Sequence, residues 1–503
     1  MVAISLFVEL LRTRPRLLFW VMVATQAVLW TLVPTLFFAA PPGNLPVVLA
    51  IGHEFQIGTE FGPPLAFWLA EIAFRIGGMF GVYLLSQICI VVTYWAVLAL
   101  GRVIVGEVHA VMAVLLMAGV ALFSLPTPAF GPGILAAPLW ALILLHYWQA
   151  TQRDEWGYWL ALGLEAGLLL LTTYAGIILI VLLLAYSLSS PTGRAQYGTV
   201  GPWIAGIVVV AELFPYLVWL ELSGGGALPG FAAIAVNLQR WTQITIALLL
   251  GHVGLAILVV LARGRFFRSD TTAPPIPRPE IAPAARRFVY FFALVPVIAM
   301  ALFALLTRRP ENFVGTPLVV LSGLAVIVAA GDRIRIEHQY LIGPVWAALL
   351  VLPPLLVALV IMVQPWIWPA DLQVGRPAAA MGQFFGDSFQ RRTGKPLTIV
   401  TGDLPMAALV ALAAPSRPSL YLESAAEFLP RLNRRDLDDK GAVVLWPATD
   451  TAGRPPPEVA RRFPDLVAEV PQGFSRRFQG RMAQTRVGWG MIRPRAPGAP
   501  QAQ

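Results

Sequence analysis

The stretch LLFWVMVATQAVLWTLVPTLFFA, Leu17–Ala39, runs for 23 residues without a charge. A helix crossing the hydrocarbon core of a bilayer needs about 20 mostly apolar residues. Lipid cannot hydrogen-bond to bare backbone, so such a run must satisfy its amides internally, as a helix. The pattern recurs at Phe80–Leu100, Val111–Leu125, Ile134–Trp148, Trp203–Leu220, Ile244–Leu261, Phe288–Leu306, Pro317–Ala330 and Tyr340–Val363. Gly157–Leu188 is too long for one crossing and is expected to split into two short helices near Thr172 and Thr173. The predicted fold class is therefore mainly α: a polytopic helical membrane protein with about eleven transmembrane helices.

Composition agrees. Of 503 residues, 57% are hydrophobic and 13% charged, and the mean hydropathy is +0.72. Soluble domains carry roughly a quarter charged residues. The net charge of +9 sits mostly on arginines between apolar runs. That distribution fits cytoplasmic loops better than a nucleic-acid surface. The lone Cys89 excludes an intrachain disulfide and a cysteine metal site. The first run is too long for a signal-peptide core and reads as a retained helix.

Arg12, Arg14 and Arg16 precede the first run and place the N-terminus in the cytoplasm. Arg263, Arg265, Arg268, Arg278, Arg286 and Arg287 mark the main cytoplasmic loop, and Arg333 and Arg335 fall on the same side. An odd number of crossings leaves the C-terminus outside. The predicted domains are a transmembrane domain, 1–368, with a first outer loop at 40–78, and a small extracytoplasmic α/β domain, 369–503, with a disordered tail. In the latter, Leu397–Val400, Ser419–Leu422 and Ala442–Leu445 read as strands. Ala378–Gln390 and Pro457–Phe463 read as helices.

The first outer loop reads PPGNLPVVLAIGHEFQIGTEFGPPLAFWLAEIAFRIGG, Pro41–Gly78. Long loops tend to carry function. This one holds His53, Glu54, Glu60, Glu71 and Arg75. Leu45–Phe55 is expected to form a short helix lying on the membrane. A second helix starts after Pro63 and Pro64, with proline tolerated in the first turn. Carboxylates on interfacial helices suit a lipid-linked substrate, whose tail stays in the bilayer while its head meets an acid or base.

Four stretches together resemble a known family. They are GHEFQIGTEFGPPLAFWLAE (Gly52–Glu71), TPAFGPGILAAPLWAL (Thr127–Leu142), GLEAGLLLLTTYAGIILI (Gly163–Ile180) and RRTGKPLTIVTGD (Arg391–Asp403). The chain looks like a bacterial member of glycosyltransferase family 39, the dolichyl-phosphate-mannose protein mannosyltransferase group, with the GT-C fold. The resemblance implies a sugar donor linked to polyprenyl phosphate and used on the outer face of the bacterial inner membrane. The acceptor would be an envelope lipid, polysaccharide or protein. A loop carboxylate would act on the acceptor hydroxyl, the lipid phosphate would leave, and basic groups would stabilise it. The chain departs from the family pattern. Asn44 stands where an Asp is usual, Val47 where a Glu follows, Phe61 and Gly62 where a charged pair precedes Pro-Pro, and Thr173 where a Lys is common. An amide cannot accept a proton as a carboxylate does. Glu54 is therefore the first candidate base and Glu60 the second. The alternatives are a non-catalytic relative that binds a lipid-linked sugar, and a transporter or flippase. The absence of an internal repeat counts against transport.

Arg308 and Arg309 interrupt the positive-inside pattern and, with Arg240, His53 and Tyr174, are candidates for holding the donor or its phosphate. Asn237 is a weaker one. Glu165 and Glu212 lie within apolar runs, where acids usually face a cavity or a partner. His252 reads as a packing residue. The arginine pairs 434/435, 461/462 and 476/477 read as exposed surface. No nucleotide loop and no metal site emerges.

Overall fold

The computed structural model describes residues 5–153, 155–223, 234–263, 275–306, 316–368, 370–422, 432, 434–448 and 453–495. The chain divides into two compact units: Met1–Leu32, Tyr83–Val218 and Leu228–Leu356 form the first, and Val33–Val82, Trp219–Ala227 and Val357–Gln503 the second.

Among the described residues, seven helices are long and apolar enough to cross a membrane: Pro15–Phe37, Leu65–Val105, Pro132–Arg153, Gly201–Leu222, Asn237–Arg263, Pro283–Leu306 and Gln339–Ile367. The other runs form shorter apolar helices, at Glu107–Met117, Trp156–Leu170, Ala175–Ser189 and Pro317–Ala329. The expected split of Gly157–Leu188 occurs, with the chain turning through Thr172 and Thr173 between two helices. Leu65–Val105 is broken at Gly77 and Gly78, where φ is −139° and +58°. Only glycine enters the second conformation at little cost.

The first unit wears apolar side chains outward. On Gly201–Leu222, Trp203, Ile207, Val210 and Phe214 are all more than half exposed. Such a surface is stable against lipid, not water. Some polar groups inside the unit meet one another. Glu165 Oε1 lies 2.7 Å from His146 Nδ1, and the Tyr174 and Tyr216 hydroxyls are 2.6 Å apart. His252 bonds to the Leu248 carbonyl and to Ser322 Oγ, at 2.7 and 3.0 Å, as a packing histidine should. A two-residue ribbon, β1 (Ile276–Pro277) and β2 (Arg333–Ile334), closes one loop region.

The second unit contains a six-stranded mixed sheet. Its strands are β3 (Ile399–Gly402), β4 (Ser419–Leu420), β5 (Ala442–Pro447), β6 (Val467–Ala468), β7 (Gln472–Phe474) and β8 (Thr485–Ile492). The order is β4-β3-β5-β8-β6, with β7 also paired to β8. β3 is parallel to β4 and β5, and β8 is antiparallel to β5, β6 and β7. Alternation along β5 builds two cores. Val443 and Leu445 face Phe385, Phe389, Met406, Val410 and Trp489, while Val444 and Trp446 face Tyr421, Leu437 and Phe463. A strand buried on both faces reads as continuous apolar sequence, which is why β5 is legible. The helices Ala378–Thr393 and Pro457–Arg462 also fall where the sequence places them.

Further contacts bind the N-terminal part of this unit to its C-terminal part. Gln373 Nε2 donates to the Pro41 and Gly43 carbonyls at 2.9 and 2.7 Å, and Arg477 donates to the Leu36 carbonyl at 2.8 Å. Asp371 is held by Arg376, at 2.7 Å, and by Arg476. Burial pushes the Asp371 carboxyl upward, but the hydrogen bonds from Arg376 and Arg476, with their charges, outweigh it and leave it below the ordinary value. A depressed folded-state value contributes stability above the unfolded carboxylate value, about 4, and that stability is lost as pH falls through the folded value. Purified protein should therefore lose thermal stability as pH drops below about 4, and Asp371→Asn should flatten that loss. Parallel pH profiles for the two proteins would show that this ion pair carries none of it.

Candidate functional site

The helix Leu45–Gly52 begins after Asn44 and has all eight residues buried. Its apolar sequence suggests a face left open to the membrane surface. Its apolar faces are covered instead by protein, including the helix Leu404–Ala413, which reads LPMAALVALA and is itself almost wholly buried. Asn44 is exposed and its side chain caps nothing. At 1.5 Å per residue, the helix puts about 12 Å between Asn44 and the turn that follows.

That turn carries His53, Glu54 and Phe55. Phe55 has φ +47°, in the left-handed region. A bulky residue there costs roughly 1–3 kcal/mol and persists only where its surroundings demand it. The chain then makes a tight reversal. Thr59 bridges Gly62, and Thr59 Oγ1 accepts from the Phe61 amide at 3.2 Å. Trp68 Nε1 donates to the Gln56 carbonyl at 2.8 Å and ties this segment to the next helix. Gly58 lies under Trp219. A Cβ at Gly58 would stand 2.3 Å from the indole ring, so no larger residue fits without movement.

The electrostatic centre is Glu71, whose side chain is 2% exposed. Its Oε1 lies 2.9 Å from Arg75 Nε and 3.1 Å from His53 Nδ1, and its Oε2 accepts from Arg417 Nη2 at 2.7 Å. The Glu71–Arg75 pair has the i, i+4 spacing of a helix surface. Arg417 comes from the turn before β4 and, like Phe55, is left-handed, with φ +48°. The two strained residues serve the same cluster. The Arg75 guanidinium stacks 4.8 Å from the Phe55 ring centroid, and that of Arg417 stacks 4.6 Å from the Phe74 ring.

Beside this cluster, Glu54 and Glu60 line one open pocket with Gln56, Thr59, Ser419 and Tyr421. Ser419 Oγ donates to Glu54 Oε1. The structure thus brings together Glu54 and Glu60, and sets His53 one residue away in the Glu71 cluster. Asn44 is not among the lining residues. Tyr174 belongs to the first unit, where its hydroxyl meets that of Tyr216. Asn237, in the same unit, is buried and donates to the Leu305 carbonyl at 3.0 Å, a packing contact. Arg308, Arg309 and the Arg240 side chain lie outside the described residues. Among the described residues, no group of three or more His, Cys, Asp or Glu side chains could hold a metal ion.

Sequence reading missed Arg417 and Ser419. Their only local signal is the pair of prolines, Pro415 and Pro418, which marks a turn. Nothing local says that the turn reaches Glu71, 346 residues earlier. For Glu71, the i+4 arginine was the available sign.

Residues 62–219 match the family described as dolichyl-phosphate-mannose-protein mannosyltransferase. No curated protein matches the chain in sequence. Among solved structures, ArnT from Cupriavidus metallidurans in the apo state is 12% identical, with 94% of this chain and 97% of ArnT covered and a TM-score of 0.59. The same protein bound to undecaprenyl phosphate gives 11%, 96%, 99% and 0.49. The Archaeoglobus fulgidus oligosaccharyltransferase in the apo form gives 14%, 80%, 64% and 0.41. The apo ArnT likeness shows the fold, an ArnT-like GT-C architecture. The family match agrees with the resemblance to glycosyltransferase family 39 read from the sequence.

Removing one partner of a buried ion pair leaves an uncompensated charge, at a cost of roughly 3–5 kcal/mol. Arg417 is 18% exposed and Arg75 remains beside Glu71, so about 2 kcal/mol is expected for Arg417→Ala. Glu71→Gln combined with Arg417→Ala should cost less than the sum of the single changes, by about 1 kcal/mol or more in denaturant titrations. Strict additivity would mean that the contact contributes nothing.

Proposed function

We propose that this chain is a membrane glycosyltransferase that moves a sugar from a polyprenyl-phosphate donor to an envelope lipid, polysaccharide or protein. Three observations support this reading: the ArnT-like fold, the family match over residues 62–219, and the pocket that collects Glu54 and Glu60. The pocket carries the most weight, because it places two carboxylates on a loop of the kind a lipid-linked head group would meet.

In the proposed reaction an acceptor hydroxyl enters the pocket. Its oxygen attacks the anomeric carbon while Glu54 takes its proton. The bond from that carbon to the phosphate oxygen breaks, and the electron pair leaves with the lipid phosphate. A single displacement inverts the anomeric centre. Ser419 Oγ donates to Glu54 Oε1, and the Glu54 carboxylate is assigned the proton. Ser419 also fixes the carboxylate rotamer, which a general base needs. Glu60 is assigned to orienting the acceptor. Negative charge building on the leaving phosphate calls for cations, and the arginines proposed for that role are Arg308, Arg309 and Arg240.

The proposed setting is a bacterial inner membrane. The N-terminus is cytoplasmic, and the loop 40–78 with residues 369–503 lies on the periplasmic side. The strain at Phe55 and Arg417 is consistent with a loop held in one shape for a task.

General-base removal typically costs 10²–10⁴-fold. In membranes supplied with polyprenyl-phosphate sugars, Glu54→Gln should lower kcat by about 10²-fold or more, and Glu60→Gln by less. Full transfer by both variants would overturn the assignment. Envelope lipid and polysaccharide mass spectra with and without the gene should differ by one sugar increment. Identical spectra would favour the non-catalytic relative.

A further inference from the structure

One cavity of the first unit is remote in sequence from the loop carboxylates. It is an open groove lined by apolar side chains such as Leu11, Leu115, Leu258 and Trp346. Three charged residues share its lining: Arg263, Arg335 and Glu337. Backbone bonds place them together. The Glu337 amide donates to the Ala262 carbonyl at 3.0 Å, and His338 Nδ1 meets the Leu261 carbonyl at 2.9 Å. The segment 335–338 is thereby pinned to the C-terminal end of the helix Val253–Arg263. Arg263 and Arg335 are both exposed. The helix Gln339–Ile367 also starts here, and its first turns supply Ile342 and Trp346 to the lining. Its N-terminus adds positive potential.

A groove that is apolar inside and cationic at one end fits an amphiphile with an anionic head. We propose that this groove seats an anionic phospholipid, with an acyl chain against Leu115, Leu258 and Trp346 and the phosphate between Arg263 and Arg335. Two arginine forks match phosphate oxygens geometrically. Glu337 opposes a second negative charge nearby and so favours a singly charged phosphodiester over a free phosphate or phosphomonoester. The arginine distribution puts this end at the cytoplasmic leaflet, where anionic lipids concentrate. Occupancy would brace Glu107–Met117, Val253–Arg263 and Gln339–Ile367 against one another, since each contributes lining residues.

The test is native mass spectrometry of the full-length protein with added phosphatidylglycerol or phosphatidylcholine of identical chains. Basic residues near a membrane surface contribute about fivefold each in anionic lipid affinity. Phosphatidylglycerol adducts should therefore exceed phosphatidylcholine adducts at least about fivefold. R263Q/R335Q should abolish that preference, and R263K/R335K should keep part of it. Val259→Trp, which fills the groove and leaves both arginines, should reduce phosphatidylglycerol adducts as well. Equal binding of the two lipids, an unchanged preference in R263Q/R335Q, or unchanged adducts in Val259→Trp would overturn the proposal.

Discussion

The carboxylate of Glu71 sits almost out of reach of water, and three basic side chains converge on it. A buried carboxylate without partners is too costly to keep ionised. With Arg75, His53 and Arg417 around it, the charge is matched and its lone pairs are used. The three partners come from three places: the end of one helix, the next turn of Glu71's own helix, and a turn far along the chain. Satisfying one acid therefore fixes the relative positions of three segments in the second unit. The left-handed conformations of Phe55 and Arg417 are the local cost of bringing them in.

The pocket follows from that constraint. Once Arg417 is anchored, β4 begins two residues later and Ser419 meets Glu54. Once His53 is anchored, the reversal through Thr59 and Gly62 carries Glu60 to the same pocket. Burial of the helix Leu45–Gly52 against Leu404–Ala413 keeps the entry to this turn rigid. Glu54 and Glu60 thus stand on irregular backbone supported by regular elements, the usual arrangement in loops that carry function.

The first unit obeys a different rule. Its helices bury two polar pairs, His146 with Glu165 and Tyr174 with Tyr216, and turn leucine, isoleucine and tryptophan outward. The groove bounded by Arg263 and Arg335 is where the two tendencies meet, apolar packing on one side and surplus positive charge on the other.

Strong, local patterns were legible. Long apolar runs gave the spanning helices because lipid allows nothing else. β5 announced itself through its β-branched residues. Weaker ones were not. The longest strand, β8, reads TRVGWGMI, and its glycines lower its β-propensity. They are there because Trp446 packs on Gly488, where a Cβ would lie 2.1 Å from the indole nitrogen. The helix Leu404–Ala413 is too short to read as a crossing and is apolar all round because it is buried all round. From its sequence alone, the chain determined that it is helical, apolar and orientable, and it presented Glu54 and Glu60 as loop acids. Only the tertiary structure decided that Glu71 is the electrostatic hub, that Arg417 and Ser419 complete the surroundings of the loop acids, and that Asn44 stands apart from them. Periodicity and hydropathy are properties of neighbouring residues, whereas an ion pair 346 residues apart exists only after the chain has folded.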